Sequence, residues 1–339
     1  MATKRIRLLT GTALTGLMLL TTGTALATHQ QQAAGPTPLF VGTYPGIDPY
    51  EAQLKVGAIA AAKALHVKLS WLTPTTFDVA QQESITESAL SLPNLKGLSV
   101  VAADPNSLEG VMREAKQKGI AISQMSACTP KATAPVCYST DFEKAGEAVA
   151  QRMAALMHGS GKVVIATGVP GDVNHQLRVK GFTSYLKAHD PNIQIVQTIP
   201  NCDSADTTVQ CAETALSAHP DLTGYYATGG QAANGASSVF PQAGKKVIVA
   251  AVDDDPTTIN GIKNGSITFT YVQQPYCQGY LMVLLPYEMA FKNLVPTMKF
   301  VDTGISFVSK SNVNTYKSAV KANCAKLVSY FNTTVMKKG

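Results

Sequence analysis

Short apolar runs rich in β-formers alternate with longer amphipathic segments along this chain, and they do so in two successive series. In the first, expected strands at 39–41, 67–72, 98–102 and 120–124 interleave with expected helices at 50–65, 79–90, 107–118 and 142–157. In the second, strands at 163–166, 193–197, 223–227 and 247–252 are separated by helices at 175–188, 207–218, 232–243 and 255–264. A strand that meets its sheet neighbour only after a helix has to run parallel to it, with a right-handed crossover. Each series therefore implies a parallel sheet covered by helices, and the chain as a whole an α/β molecule of two similar lobes. Its 339 residues provide for two cores of that size. With 45% hydrophobic and 15% charged residues, the composition is that of a globular chain and excludes a disordered one. After the second series the alternation breaks, with a strand at 267–272, a helix at 278–291, a strand at 299–308 and a helix at 313–331. One more helix–strand pair beyond a completed lobe predicts that the chain crosses back. Ligands of open α/β sheets bind beyond the carboxyl ends of the strands, so two facing lobes place a cleft there.

The formal charge of +6 is largely a feature of the N-terminus. Lys4, Arg5 and Arg7 stand in a 27-residue stretch without an acid, and the rest carries 25 Lys and Arg against 22 Asp and Glu. The body has no basic run of the kind a nucleic-acid surface needs, so no nucleic-acid partner is expected. The three basic residues precede a short apolar stretch from Leu8 to Leu20 and the small-x-small sequence Ala25-Leu26-Ala27. This is the pattern of a secretory signal peptide, too short in its apolar part to anchor in a bilayer. Cleavage is expected after Ala27, followed by a polar, disordered lead-in over 28–38.

Six cysteines suit an exported chain: Cys128, Cys137, Cys202, Cys211, Cys277 and Cys324. Six allow fifteen pairings. Spacing favours Cys128 with Cys137 and Cys202 with Cys211, each closing a short loop, which leaves Cys277 with Cys324. Zinc-type spacing is absent and the six histidines are scattered, so no metal site and no cofactor are expected. The turn Gly168-Val169-Pro170-Gly171 lacks the spacing of a nucleotide-binding loop. Gly229-Gly230-Gln231 is either a tight strand-to-helix turn or a place where backbone approaches a ligand. In Asp253-Asp254-Asp255-Pro256, either Asp254 or Asp255 is expected to cap a helix while the other faces the cleft. Trp71, inside an expected strand, is a core residue. Hydrolase, metalloprotease and kinase signatures are all missing, and the chain is not expected to be an enzyme.

Four short segments carry a resemblance: Ser217-Ala218-His219-Pro220-Asp221 leading into Tyr226-Ala227, the strand end Val249-Ala250-Ala251-Val252-Asp253, Asn264-Gly265-Ser266-Ile267, and Asp302-Thr303-Gly304. In their order and spacing the chain resembles the ribose-type periplasmic sugar-binding proteins, from about residue 39 to 308. The resemblance implies two doubly wound lobes joined by a three-segment hinge, with crossings near 139–141, 273–274 and 302–303. The first lobe would comprise 39–140 plus 274–302, and the second 141–273 plus 303–339 with the C-terminal helix. It further implies a periplasmic monomer that closes on a small polar ligand and hands it to an ABC permease, or, as the alternative, presents it to a chemoreceptor or membrane histidine kinase. By position, the implied ligand-binding residues are Asp48, Tyr50, Glu51, Ser126, Gln176, Asp203, Gly229, Asp253 and Gln273. Asp253 and Gln273 match the family's ligand-binding Asp and Gln directly. Two family arginines are replaced, by Ala127 and by Gln176, while Asp48, Glu51, Asp203 and Asp253 add up to four acids. Such a site favours a neutral polyol or sugar, or better an amino-bearing ligand, over an anion.

Overall fold

The structure, a computed structural model, describes residues 36–104, 106–128 and 131–339; the expected signal peptide and its cleavage site lie outside them. The first series folds as β1 (Leu39–Thr43), α1 (Pro49–Ala64), β2 (Lys68–Leu72), α2 (Val79–Ala89), β3 (Leu95–Ala102), α3 (Glu109–Gln117), β4 (Ala121–Ser126), β5 (Cys137–Ser139) and α4 (Phe142–Leu156). The second gives β6 (Gly161–Ala166), α5 (Val173–His189), β7 (Ile193–Ile199), α6 (Thr208–Ala218), β8 (Gly224–Ala227), α7 (Ala236–Gln242), β9 (Ile248–Val252), α8 (Pro256–Asn264) and β10 (Phe269–Val272). The remainder is α9 (Pro275–Lys292), β11 (Leu294–Pro296), β12 (Phe300–Asp302), β13 (Ser306–Ser309), α10 (Tyr316–Tyr330), a π-helical turn (Phe331–Val335) and β14 (Met336–Lys338).

Two six-stranded sheets result, in the orders β12-β5-β4-β3-β1-β2 and β13-β10-β9-β8-β6-β7. Their first five strands repeat one plan. All pairings in the first sheet are parallel, and in the second only β13 runs antiparallel, against β10. Both sheets are thus doubly wound, with the reversal of strand order at β1/β3 and at β6/β8. Central strands covered on both faces are apolar almost throughout, as in β3, where seven of eight residues are buried. Asp48, Asp78, Asp141, Asp172 and Asp255 start α1, α2, α4, α5 and α8, each accepting a backbone N–H of the first turn.

Three segments pass between the two sheets. The chain leaves β5 at Ser139 and enters α4. It leaves β10 at Val272 and enters α9, which packs on the first sheet. It leaves β12 at Asp302 and enters β13. The expected strand over 299–308 is therefore two strands in different sheets, broken where Gly304 takes φ +73°. Thr303 N–H donates to the Ser139 carbonyl at 2.8 Å, and both Asp141 N–H and Gly304 N–H donate to Asp302 Oδ1, at 3.0 and 2.8 Å, which ties two crossings together.

Helix pairs within each lobe touch backbone to backbone. A Cβ on Gly181 would lie 1.9 Å from the Glu143 carbonyl oxygen and one on Gly146 2.2 Å from that of Arg178, so α4 and α5 need glycine on both sides of their crossing. Gly57 of α1 and Gly279 of α9 make the equivalent crossing in the first lobe.

Not all of residues 303–339 join the second lobe. Val313, Tyr316 and Val320 pack in the second lobe's core, whereas Leu327, Val328, Phe331, Val335 and Met336 pack with Tyr138 and Leu281 of the first. The physical reason is the apolar end of the chain, which finds an unfilled face beside α9. There β14 pairs antiparallel with β11, a small sheet absent from the sequence reading, as was β5. The expected cysteine pairs form: Cys128–Cys137, Cys202–Cys211 and Cys277–Cys324, with Cα separations of 5.8, 5.9 and 5.2 Å. The last ties α10 to α9.

Candidate functional site

Loops at the carboxyl ends of β1, β2, β4, β6, β7, β8, β9 and β10 converge on one cavity of about 450 Å³ between the sheets. Hydrogen bonds span it from lobe to lobe: Gln53 Nε2 to Asp254 Oδ1 and Asn174 Nδ2 to Ser126 Oγ, both 2.8 Å.

The first lobe contributes Tyr44, Asp48, Tyr50 and Ser126. Asp48 ends the β1 loop and caps α1; its Oδ1 accepts Glu51 N–H at 2.7 Å and its Oδ2 the Tyr44 hydroxyl at 2.8 Å. Tyr50 lines the wall with its ring and sends its hydroxyl to Gln278 Oε1. Gln278 Nε2 donates in turn to Thr303 Oγ1 at 2.8 Å, which links the wall to the hinge. Ser126, at φ +76°, ends β4 in a left-handed turn that presents its hydroxyl to the second lobe.

The second lobe contributes Asp172, Asn174, His175, Arg178, Asp203, Gln231, Asp253 and Gln273, with Phe142 between. Asp253, at φ +62°, accepts Gln273 Nε2 on Oδ1 at 3.0 Å. Asp203 Oδ1 takes the Gln231 N–H at 2.6 Å. The Asp203 carboxylate fills the space where Gly229 has no Cβ: an added one would stand 2.0 Å from Oδ2. Gly229 is thus needed for close approach, but the approaching group is Asp203 rather than a ligand. Of the three consecutive acids, Asp253 faces the cavity and Asp255 caps α8. Asp254 bridges Gln53 to the Tyr316 hydroxyl, 2.9 Å from its Oδ2.

Two of the expected binding residues belong elsewhere. Glu51 is buried inside the first lobe, accepting Trp71 Nε1–H at 2.5 Å. It is one residue past Tyr50, about 100° around the helix, which turns it from the cleft to the sheet. Gln176 is exposed and donates to the Pro170 carbonyl at 2.6 Å. Arg178, two residues on and about 200° around α5, holds the cavity-facing place instead. So one arginine does face the cavity. Asn174, His175 and Arg178 share one face by helical spacing, and that spacing was the available signal. Tyr44, Asp172 and Phe142 also went unidentified in the sequence, having no pattern of their own.

Arg178 is buried; its NH1 donates to the Thr228 carbonyl at 3.0 Å and its guanidinium lies 4.5 Å from the Phe142 ring centre. Burial works against its charge, yet Tyr271, Asp253, Tyr226 and Asp172 together hold its pKa above the ordinary value. Burial pushes the carboxyls of Asp48, Asp172 and Asp203 up, and that of Asp253 up to about 7, against the pull of their hydrogen bonds and, for the last three, of Arg178. Burial, aided by Arg178, holds His175 down at about 3, so the ring is neutral at neutral pH. Its Nδ1 meets Thr228 Oγ1 at 2.9 Å. Ile47, Phe77 and Val169 form an apolar, exposed rim. Among the described residues, no group of His, Cys, Asp or Glu is arranged to hold a metal ion. Carboxylates, amides and one guanidinium beside aromatic faces form a set that grips adjacent hydroxyls and stacks on an apolar ring face.

A model of the family described as periplasmic binding protein domain matches residues 39–293. The chain is 26% identical over 288 residues to the xylose/arabinose-binding protein XylF of Sulfolobus acidocaldarius, covering 79% of this chain and 70% of that one. It is 26% identical over 282 residues to the ribose import binding protein RbsB of Haemophilus influenzae, covering 80% and 90%. Among solved structures, an ABC transporter solute-binding protein of Burkholderia graminis in complex with D-arabinose is 30% identical. It superposes with a TM-score of 0.76 over 83% of this chain and 97% of the other.

Proposed function

We propose that this chain, which belongs to the periplasmic binding protein family, captures a monosaccharide of about pentose size between its lobes and delivers it to an ABC permease. The observation that carries the reading is the cavity itself. Polar residues from both lobes converge at the switch points of two doubly wound sheets, and hydrogen bonds join the lobes across the gap. Relatives named for xylose, arabinose and ribose support the ligand class. Hinge bending at the three crossings would admit the sugar, and closure would exclude water and strengthen each hydrogen bond. The protein would act as a monomer in the periplasm, with Thr28 as its first residue after signal cleavage.

Titration of the mature protein with pentoses and hexoses tests this, after bound ligand is stripped by unfolding in guanidinium and refolding. A sugar that binds only the folded state raises its stability by RT ln(1 + [L]/Kd), about 4 kcal/mol at a thousandfold excess over Kd. A calorimetric titration and a thermal shift with the same sugar are expected. Absence of both across the whole panel overturns the reading.

A further inference from the structure

The cavity holds more acceptors than a neutral sugar needs, and we propose that its ligand is an amino sugar, a monosaccharide bearing a free amine. This rests on the sugar-capture reading above. Four carboxylates, those of Asp48, Asp172, Asp203 and Asp253, line one cavity in which Arg178 is the one arginine or lysine among the described residues. Asp255, the cap of α8, lines it as well, its Oδ1 taking the Thr257 N–H at 2.8 Å and Asn234 Nδ2 at 3.2 Å.

Asp48 has both oxygens engaged, by Glu51 N–H and the Tyr44 hydroxyl, whereas the other three carboxylates are held mainly by one oxygen each. The hydrogen bonds from Asn174 N–H to Asp172, from Gln231 N–H to Asp203 and from Gln273 Nε2 to Asp253 all go to Oδ1. Asp172 Oδ2 and Asp203 Oδ2 lie 4.0 and 3.8 Å from His175 Nε2, beyond hydrogen-bonding distance. A second and independent sign comes from Asn174, which is 93% buried and lines the same cavity. Its Nδ2 is engaged by Ser126, while its Oδ1 is an acceptor with no donor. Arg178 cannot serve them all, since one of its nitrogens is committed to Thr228 and its plane to Phe142.

Chemistry decides between ligand classes. A hydroxyl brings one proton, an ammonium three together with a positive charge. Buried carboxylates without a counter-charge are unfavourable, and removing that deficit stabilises the closed complex. Burial displaces all four carboxyls upward, which has the same origin. His175 does not supply the missing charge, being held neutral.

The test is calorimetric titration at pH 7 of the stripped mature protein with D-glucosamine, D-galactosamine and D-mannosamine. Each is paired with its hydroxyl parent and its N-acetyl derivative, and D-arabinose, D-ribose and D-xylose complete the set. At least one amine is expected to bind about tenfold or more tighter than both its parent and its N-acetyl form. In Asp203→Asn, which keeps the side chain's shape, that ratio should fall toward one; circular dichroism checks the fold. If a neutral sugar binds as tightly as every amine, the amine inference fails and sugar capture stands. If no sugar binds at all, the capture reading fails and takes the inference with it.

Discussion

Asp253 carries a left-handed backbone, a hydrogen bond from Gln273 and a carboxyl pushed up to about 7 by burial. A carboxyl whose folded pKa exceeds its unfolded value binds a proton more readily when folded. Between about pH 4 and 7 its contribution to stability therefore falls as pH rises. His175 has the opposite sign, because its folded pKa is depressed to about 3. Over pH 3 to 6.5 the unfolded imidazole binds the extra proton, so its contribution rises with pH. The two offset each other in wild type, and a substitution separates them. Relative to wild type, Asp253→Asn should gain stability steadily from pH 4 to 7 and then level off, by on the order of 4 kcal/mol at the limit. Asparagine tolerates the left-handed backbone, so the fold should survive. Urea denaturation of the ligand-free protein across that range measures the difference. A gap that is flat or shrinks with pH contradicts the assignment.

At the scale of elements, the α4–α5 crossing sets where Arg178 stands. Gly181→Ala drives a methyl into the Glu143 carbonyl, so the helices must part. A stability loss of about 1–3 kcal/mol is expected, along with weaker ligand binding because Arg178 lies one turn away. Gly110→Ala is the control: it sits in α3 with nothing within 4 Å of its new methyl, and should be neutral or slightly stabilising without changing affinity. Equal affinity in both variants would remove the crossing from the site's design. Most elements were legible because periodicity survives in them, whereas Asp253 and Gln273 came from the family resemblance, and both stand in the cavity wall. Gln176 was misjudged for Arg178 since a two-residue shift within a helix leaves the element intact while reversing the face. Asp172 was missed because a helix-capping aspartate looks the same in sequence whether it faces solvent or a cavity. The strands β5, β11 and β14, three residues each, are too short to show a period.

The whole molecule depends on how its end is fastened. Cys277–Cys324 closes a loop of 47 residues containing the third crossing. By chain entropy it stabilises the fold by about 4 kcal/mol. Replacing both cysteines by serine should lower the denaturation midpoint accordingly, and an unchanged midpoint would show that packing alone holds α10 in place.

That same helix begins against the second lobe at Tyr316 and runs into the turn whose Phe331 packs against the first, with the disulfide between. Three peptide crossings can bend at a few backbone torsions once their mutual hydrogen bonds yield, but a helix fastened to α9 along its length and seated on the second lobe at its start resists that motion. Parting the lobes must tilt α10 off the Val313–Val320 seat or draw that seat along with it. The helix therefore acts as a door stay. If the proposed sugar enters by parting of the lobes, such a stay would limit the aperture, and the range of ligands would be decided at the doorway as well as at the wall.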